Sequence, residues 1–125
     1  MQVFLDTNFL LIPFQYNVDI FTEIDRLLPS PTLLIADLTL VELDRVLRNP
    51  ESSGKDKDAV RMAKQLIKRK HLKKIVVSDY NTIDDFLVDN AEEFAYVATQ
   101  DKELKKKLKN QTGFIVLRRN HLELG

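Results

Sequence analysis

The chain has 125 residues, 44% of them hydrophobic and 30% charged, which suits one domain over residues 1–125 with a core that needs no metal or disulfide staple. Its 19 basic residues balance 19 acidic ones, so whole-chain charge neither marks nor excludes a nucleic-acid partner. The absence of cysteine excludes a disulfide framework, a thiolate zinc site and a cysteine nucleophile, and leaves oxygen or the two histidines to hold any metal.

From the N-terminus, the apolar run Gln2 to Leu5 reads as a buried strand. Phe14, Val18, Phe21, Ile24 and Leu28 recur at three- and four-residue steps and predict one amphipathic helix that stops before Pro29. Thr32 to Ala36 (TLLIA) is a second strand, and Leu40, Leu43 and Leu47 mark a helix ending near Asn49-Pro50. Residues 49–58 (NPESSGKDKD) have the composition of an exposed, mobile loop, after which Ala59 to Lys70 again shows helical spacing. Ile75 to Val77, Ala95 to Ala98 and Phe114 to Leu117 follow as strands three to five, separated by helices over Ile83 to Ala91 and Lys102 to Lys109. No charged leader with a long apolar stretch begins the chain and no run approaches a bilayer span, so a soluble cytoplasmic protein without a membrane partner is expected.

Short apolar strands alternating with helices imply an α/β fold. Right-handed crossovers place helices on both faces of a central parallel five-stranded sheet, giving three α/β/α layers. In such a sheet all strand C-termini lie along one edge, where ligands bind. Asp6 follows strand one, Glu42 lies in the first turns after strand two, Asp84 opens the helix after strand three and Asp101 follows strand four. Four of five strands thus deliver a carboxylate to one edge. Gathered carboxylates repel one another unless protons or cations neutralise them, and oxygen-only ligation suits Mg2+ or Mn2+.

Each acid also has a local role open to it. Asp6 suits a cap in Asp-Thr-Asn, Thr39-Leu40-Val41-Glu42 matches a capping box, Thr82-Ile83-Asp84-Asp85 is a near relative of one, and Asp101 favours the positive end of the next helix. Capping suffices for each acid alone; four at one edge point to a site.

FLDTN with Asp6, TLVELDRV with Glu42, TIDDFLVDNA with Asp84 and YVATQDKELKKKLK with Thr99 and Asp101 give the chain, over nearly its whole length, a sequence that resembles the PIN-domain ribonucleases. Within that family VELDRV, the paired aspartates and the ending GFIVLRRNHLELG look more like archaeal relatives of the ribosomal-RNA-processing endonucleases than like VapC toxins. The resemblance implies strand order 3-2-1-4-5, an acidic pocket for Mg2+ or Mn2+, and metal-dependent cleavage of RNA. It matches Asp6, Glu42, Asp84 and Asp101 to the family's four acids, with Asp6, Asp84 and Asp101 as metal ligands and Glu42 as a second-ion ligand or general base. Asp85 is an alternative to Asp84, with Leu87 packing inward if Asp84 is the ligand. Asn8 and Thr99 match polar positions beside the pocket, suited to orienting an acid or a water.

RNA affinity would need basic residues around such a pocket. Arg61, Lys64 and Lys68 form a helical stripe that continues through KRKHLKK at residues 68–74. Lys102, Lys105, Lys106, Lys107 and Lys109 follow Asp101, and Arg118 and Arg119 end the last strand. Each run also suits a solvated face. His71 and His121 have no metal-type spacing and read as surface residues. Phe9 to Ile12 reads as core, or as a homodimer surface if part of it is exposed. Competing functions are a VapC-type toxin, which would bring an antitoxin partner, and a non-catalytic RNA-binding scaffold.

Overall fold

Strand β1 (Gln2–Leu5) lies mid-sheet because it is apolar on both faces: Val3 and Leu5 enter one layer, Phe4 the other, and all three are fully buried. In the computed structural model, which describes residues 1–125, it pairs in parallel with β2 (Thr32–Ala36) on one side and β4 (Tyr96–Ala98) on the other. β3 (Lys73–Ile75) and β5 (Gly113–Arg118) extend the sheet in parallel, in the expected order 3-2-1-4-5. A sixth strand, β6 (His121–Leu124), returns antiparallel to β5 after a turn in which Arg119 takes a left-handed φ of 57°.

Helices cover both faces. One layer holds a 3-10 turn (Thr7–Leu11), α1 (Ile12–Tyr16), α2 (Ile20–Leu27), α3 (Asp37–Arg48) and α4 (Gly54–Arg69), whose Phe9, Leu10, Ile24, Leu43 and Ala63 pack on Val3, Leu5 and Ile35. The other holds α5 (Ile83–Asn90) and α6 (Lys102–Leu108), which close over Phe4 with a second 3-10 turn (Ala91–Glu93) between α5 and β4. There Phe4 meets Phe94 at 5.4 Å and Phe86 at 6.1 Å between ring centroids. Burial of each such side chain contributes roughly 1.5–3 kcal/mol.

Four expectations are corrected. The single helix through Phe14 to Leu28 is two: Asn17 adopts φ 56°, and the Asp19 carboxylate accepts from the Phe21 and Thr22 N–H groups to start α2. α4 begins at Gly54 rather than Ala59, because the Ser53 hydroxyl accepts from Asp56 N–H (3.0 Å), which shortens the expected loop to residues 49–53. β3 is shifted to Lys73–Ile75, since Val77 gives its N–H to Asp37 Oδ1 (2.9 Å) instead of to a strand. Thr39 does not cap α3, which starts at Asp37; it is fully buried inside the helix.

The run Phe9 to Ile12 is core: Phe9, Leu10 and Ile12 are fully buried and Leu11 half-buried, so it offers no homodimer surface. His71 and His121 are exposed, as expected. No helix is long and apolar enough to cross a membrane.

Candidate active site

The end of β1 continues its pairing one residue beyond the strand, where Asp6 N–H donates to Ala98 C=O at 3.0 Å. Thr99 likewise extends β4 by donating its N–H to Ile115 C=O at 3.3 Å. Two adjacent strand ends therefore hold Asp6 and Thr99 side by side, and the Thr99 hydroxyl donates to Asp6 Oδ2 at 2.7 Å. Thr7 N–H donates to Oδ1 at 2.9 Å, while the Asn8 amide makes a longer contact to Oδ2 at 3.4 Å. The Asn8 carbonyl oxygen in turn accepts from Gln100 N–H, and Thr99 Oγ accepts from Asp101 N–H. This network fixes the loop after β4 against the loop after β1.

Asp101 caps α6 with one oxygen: Oδ1 accepts from the N–H groups of Glu103 and Leu104 at 2.9 and 3.1 Å. Glu42 projects from the second turn of α3 and Asp84 from the first turn of α5. Asp6, Glu42, Asp84 and Asp101 all line one cavity of about 330 Å³, with Thr7, Asn8, Leu11, Leu43 and Val46. The strand-end argument thus brings its four acids together. Leu87 is fully buried beneath α5, as expected for Asp84 facing the cavity. Asp85 is exposed and lies outside the cavity lining, its N–H donating to the Thr82 hydroxyl at 3.0 Å, so it is a capping-turn residue. Thr99 sits behind Asp6 rather than in the lining.

Electrostatics mark the cavity as uncompensated. Burial pushes the Asp6 carboxyl up from 3.8 to about 6 against the opposing bonds from Thr99 and Thr7, with the charges of Glu42 and Asp84 adding to the rise. Asp84 is raised as well, by burial first and by Asp101 second, with Lys107 opposing. None of the ion pairs in the molecule includes any of the four acids. As the side chains stand, no three acidic or histidine groups are drawn close enough to enclose a metal. The donors are all carboxylate oxygens with no cation partner, and this chemistry fits a hard divalent ion that keeps part of its own water.

The sequence matches the PIN-like domain family over residues 3–120. The chain belongs to this family. It is 37% identical over 106 residues to ribonuclease VapC4 of Methanocaldococcus jannaschii, covering 82% of this chain and 79% of that protein. In structure it is similar to the PIN domain endonuclease Utp24, with a TM-score of 0.77 at 22% identity over 98% of this chain and 90% of the other, a likeness of fold.

The basic residues expected around the site of this PIN-like domain lie outside the cavity lining. Arg61 pairs with Asp58 at 3.0 Å and Lys64 with Asp44 at 2.7 Å, and neither they nor Lys68 line the acidic cavity. Helical spacing places these three on α4 but is blind to acids on a neighbouring helix. Lys102 and Lys105 follow Asp101 on α6 without entering the cavity lining; Lys107 is the lysine whose charge reaches Asp84. Thr39 was missed as a site residue: its buried hydroxyl accepts from Thr7 Oγ at 3.4 Å and backs the loop after β1. A threonine on the inner face of an amphipathic helix was the available signal.

Proposed function

We propose that this chain is a divalent-metal-dependent endoribonuclease, acting through a single PIN domain over residues 1–125, that hydrolyses RNA phosphodiester bonds with Mg2+ or Mn2+ in ribosomal or other RNA processing. The observation that carries the reading is the cavity lined by four carboxylates from four different connections, none of them ion-paired. Family membership and the relatives' ribonuclease and endonuclease names support it. A cytoplasmic setting, where such RNA is met, belongs to the same proposal.

Asp6, Asp84 and Asp101 would hold the cation, with Glu42 open to a second ion or to the role of base; the cation when bound would supply Lewis-acid chemistry that makes water nucleophilic near neutral pH. The chain's own contribution is positioning. Thr99 and Thr7 fix the Asp6 carboxylate from behind, and the α6 cap fixes Asp101, leaving Oδ2 without a hydrogen-bond partner. Glu42 has no such tether and is suited to take the proton of an attacking water as general base. Asn8 holds the two loops in register, and Lys102, Lys105 and Lys107 on the adjoining helix provide positive charge for phosphates next to the acids.

Incubation of structured and pre-ribosomal RNA with Mn2+ or Mg2+ tests the reading: wild type cleaves internally, whereas Asp6→Asn and Asp101→Asn do not. Equal products from all three proteins, or none from wild type, overturn it. The 37% identity to ribonuclease VapC4 favours a second reading, a toxin whose activity an antitoxin restrains. Growth arrest on expression, relieved by a small partner encoded next to it, would select that reading over RNA processing.

A further inference from the structure

The acidic cavity is smaller than three concavities around the C-terminal end of α4, of about 500, 450 and 420 Å³. The second of these is a groove between α3, α4 and β3. Leu40, Ile67 and Leu72 form its apolar part, Lys64, Lys68 and Lys74 its charge, and no acid lines it. Lys64 is neutralised by Asp44, but Lys68 and Lys74 have no ion pair. The stretch from Lys64 to Lys74 carries six basic residues and no acidic one in a chain of zero net charge.

Local roles account for part of this. Lysines in the last turn of α4 complement the helix dipole, and lysines on the edge strand β3 discourage pairing with another sheet. Neither role requires a groove, and neither supplies a counter-charge for Lys68, Arg69, Lys73 and Lys74, which have no ion pair. A polyanion would.

Placement relative to the acidic cavity says which polyanion. Glu42 lines the cavity and Leu40 lines the groove, two residues apart on α3 and therefore about 200° around its axis. The two sites flank one helix, on the order of 10 Å across. A strand with its reacting phosphate among the acids reaches the groove by crossing α3, over the exposed Val41. Apolar floor and cationic rim match a single strand of RNA, whose phosphates seek the lysines and whose base faces tolerate apolar contact.

We propose that this groove is a second RNA-binding site, which holds the backbone of the strand flanking the scissile bond through Lys68 and Lys74, with Gln65 and His71 as further donors. The identity of the polyanion rests on the ribonuclease reading; the existence of the site does not.

The test compares wild type, Lys68→Gln/Lys74→Gln and a control, Lys55→Gln/Lys57→Gln, at the opposite end of α4. Fluorescence anisotropy in EDTA reads binding to single-stranded RNAs of about twenty and about four nucleotides, the shorter being near the lower limit of a single-stranded site. Two lost phosphate contacts make the log–log salt slope for the long RNA shallower by about 1.4, so the groove variant binds about 25-fold more weakly than wild type at 0.1 M salt when the two are equal at 1 M. The short RNA, repelled by the metal-free acids and held in the groove alone, also loses binding in the groove variant, while the control's binding of the long RNA stays within about threefold of wild type. Equal loss in both double variants, or no loss in the groove variant, overturns the proposal. So does a groove variant that loses binding to phosphatidylserine vesicles while keeping its grip on RNA. Groove-dependent RNA binding by a wild type that fails to cleave in Mn2+ supports the groove and defeats the ribonuclease reading.

Discussion

Replacing Asp6 by Asn removes a charge from a place where folding disfavours it. Burial raises its carboxyl from 3.8 to about 6, with Glu42 and Asp84 contributing, despite the bonds from Thr99 and Thr7. One pH unit corresponds to about 1.4 kcal/mol, so the ionised carboxylate costs the native state about 3 kcal/mol at pH 7.5. As pH falls through 6 the native state takes up a proton while the unfolded chain stays ionised until near 3.8. Wild type therefore gains stability across that window, and below it both states are protonated and the gain is complete. The amide of the Asp6→Asn variant stays neutral at every pH and keeps an acceptor for Thr7 N–H, but its Nδ2 cannot accept the Thr99 hydroxyl hydrogen as a protonated carboxyl does, a neutral bond worth about 1 kcal/mol. Without divalent ions the variant should be about 2 kcal/mol more stable than wild type at pH 7.5 and within about 1 kcal/mol of it at pH 4. Urea denaturation in EDTA from pH 4 to 8 measures the difference. A gap that does not change with pH, or a variant less stable at pH 7.5, refutes the reasoning.

Saturating Mn2+ should stabilise wild type by about 2.7 kcal/mol at a hundred times its Kd and leave Asp6→Asn nearly unmoved; equal shifts in thermal melts would place the ion elsewhere. Thr99→Val removes the donor to Asp6 Oδ2 and the acceptor for Asp101 N–H, and should cost about 2 kcal/mol in urea melts, a neutral result counting against the network. Gly113 faces Tyr96 across β4 and β5, and an added Cβ would stand 2.7 Å from a ring carbon, so Gly113→Ala should destabilise by about 1–3 kcal/mol. Most of that cost should vanish in a Tyr96→Ala background; if it persists, the crowding argument fails. The outward N–H and C=O of Leu122 on the edge strand β6 are taken by Glu23 Oε1 (3.0 Å) and Arg26 Nη2 (2.9 Å). Glu23→Ala/Arg26→Ala should therefore show concentration-dependent self-association by light scattering that wild type lacks, and two equally monomeric proteins would argue otherwise.

The parallel sheet was legible because its strands are apolar on both faces: TLLIA and the run before Asp6 need no partner to be recognised as buried. Misread segments were those where short-range polar chemistry overrides periodicity. Val18, Phe21, Ile24 and Leu28 are all buried, so their helical spacing described burial correctly, yet Asn17 and Asp19 interrupt the helix between Phe14 and Ile20. Ser53 starts α4 among residues whose polarity suggested a loop, because the exposed first turns of a surface helix need no apolar residue. β6 escaped notice although buried Leu122 lies between exposed His121 and Glu123, a period-2 signal too short to stand without the pairing that only the folded β5 provides.

At the site, the acids were easier to read than the cations for a physical reason. Asp6, one residue past β1, inherits its position from the sheet, and Glu42, Asp84 and Asp101 sit on or cap helices that leave the same edge, so chain order shows which acids meet. A lysine on a helix face has a long stem and takes whatever partner the next element offers, as Lys64 does with Asp44 on α3. The local and catalytic roles weighed for the acids also turn out to be compatible in one side chain. Asp101 commits Oδ1 to the N-terminus of α6 and leaves Oδ2 without a hydrogen-bond partner; Asp6 gives Oδ1 to Thr7 N–H and is held at Oδ2 by Thr99. A carboxylate whose rotamer is already fixed by a backbone donor loses little further freedom on meeting a cation, so capping is no argument against the proposed ligation.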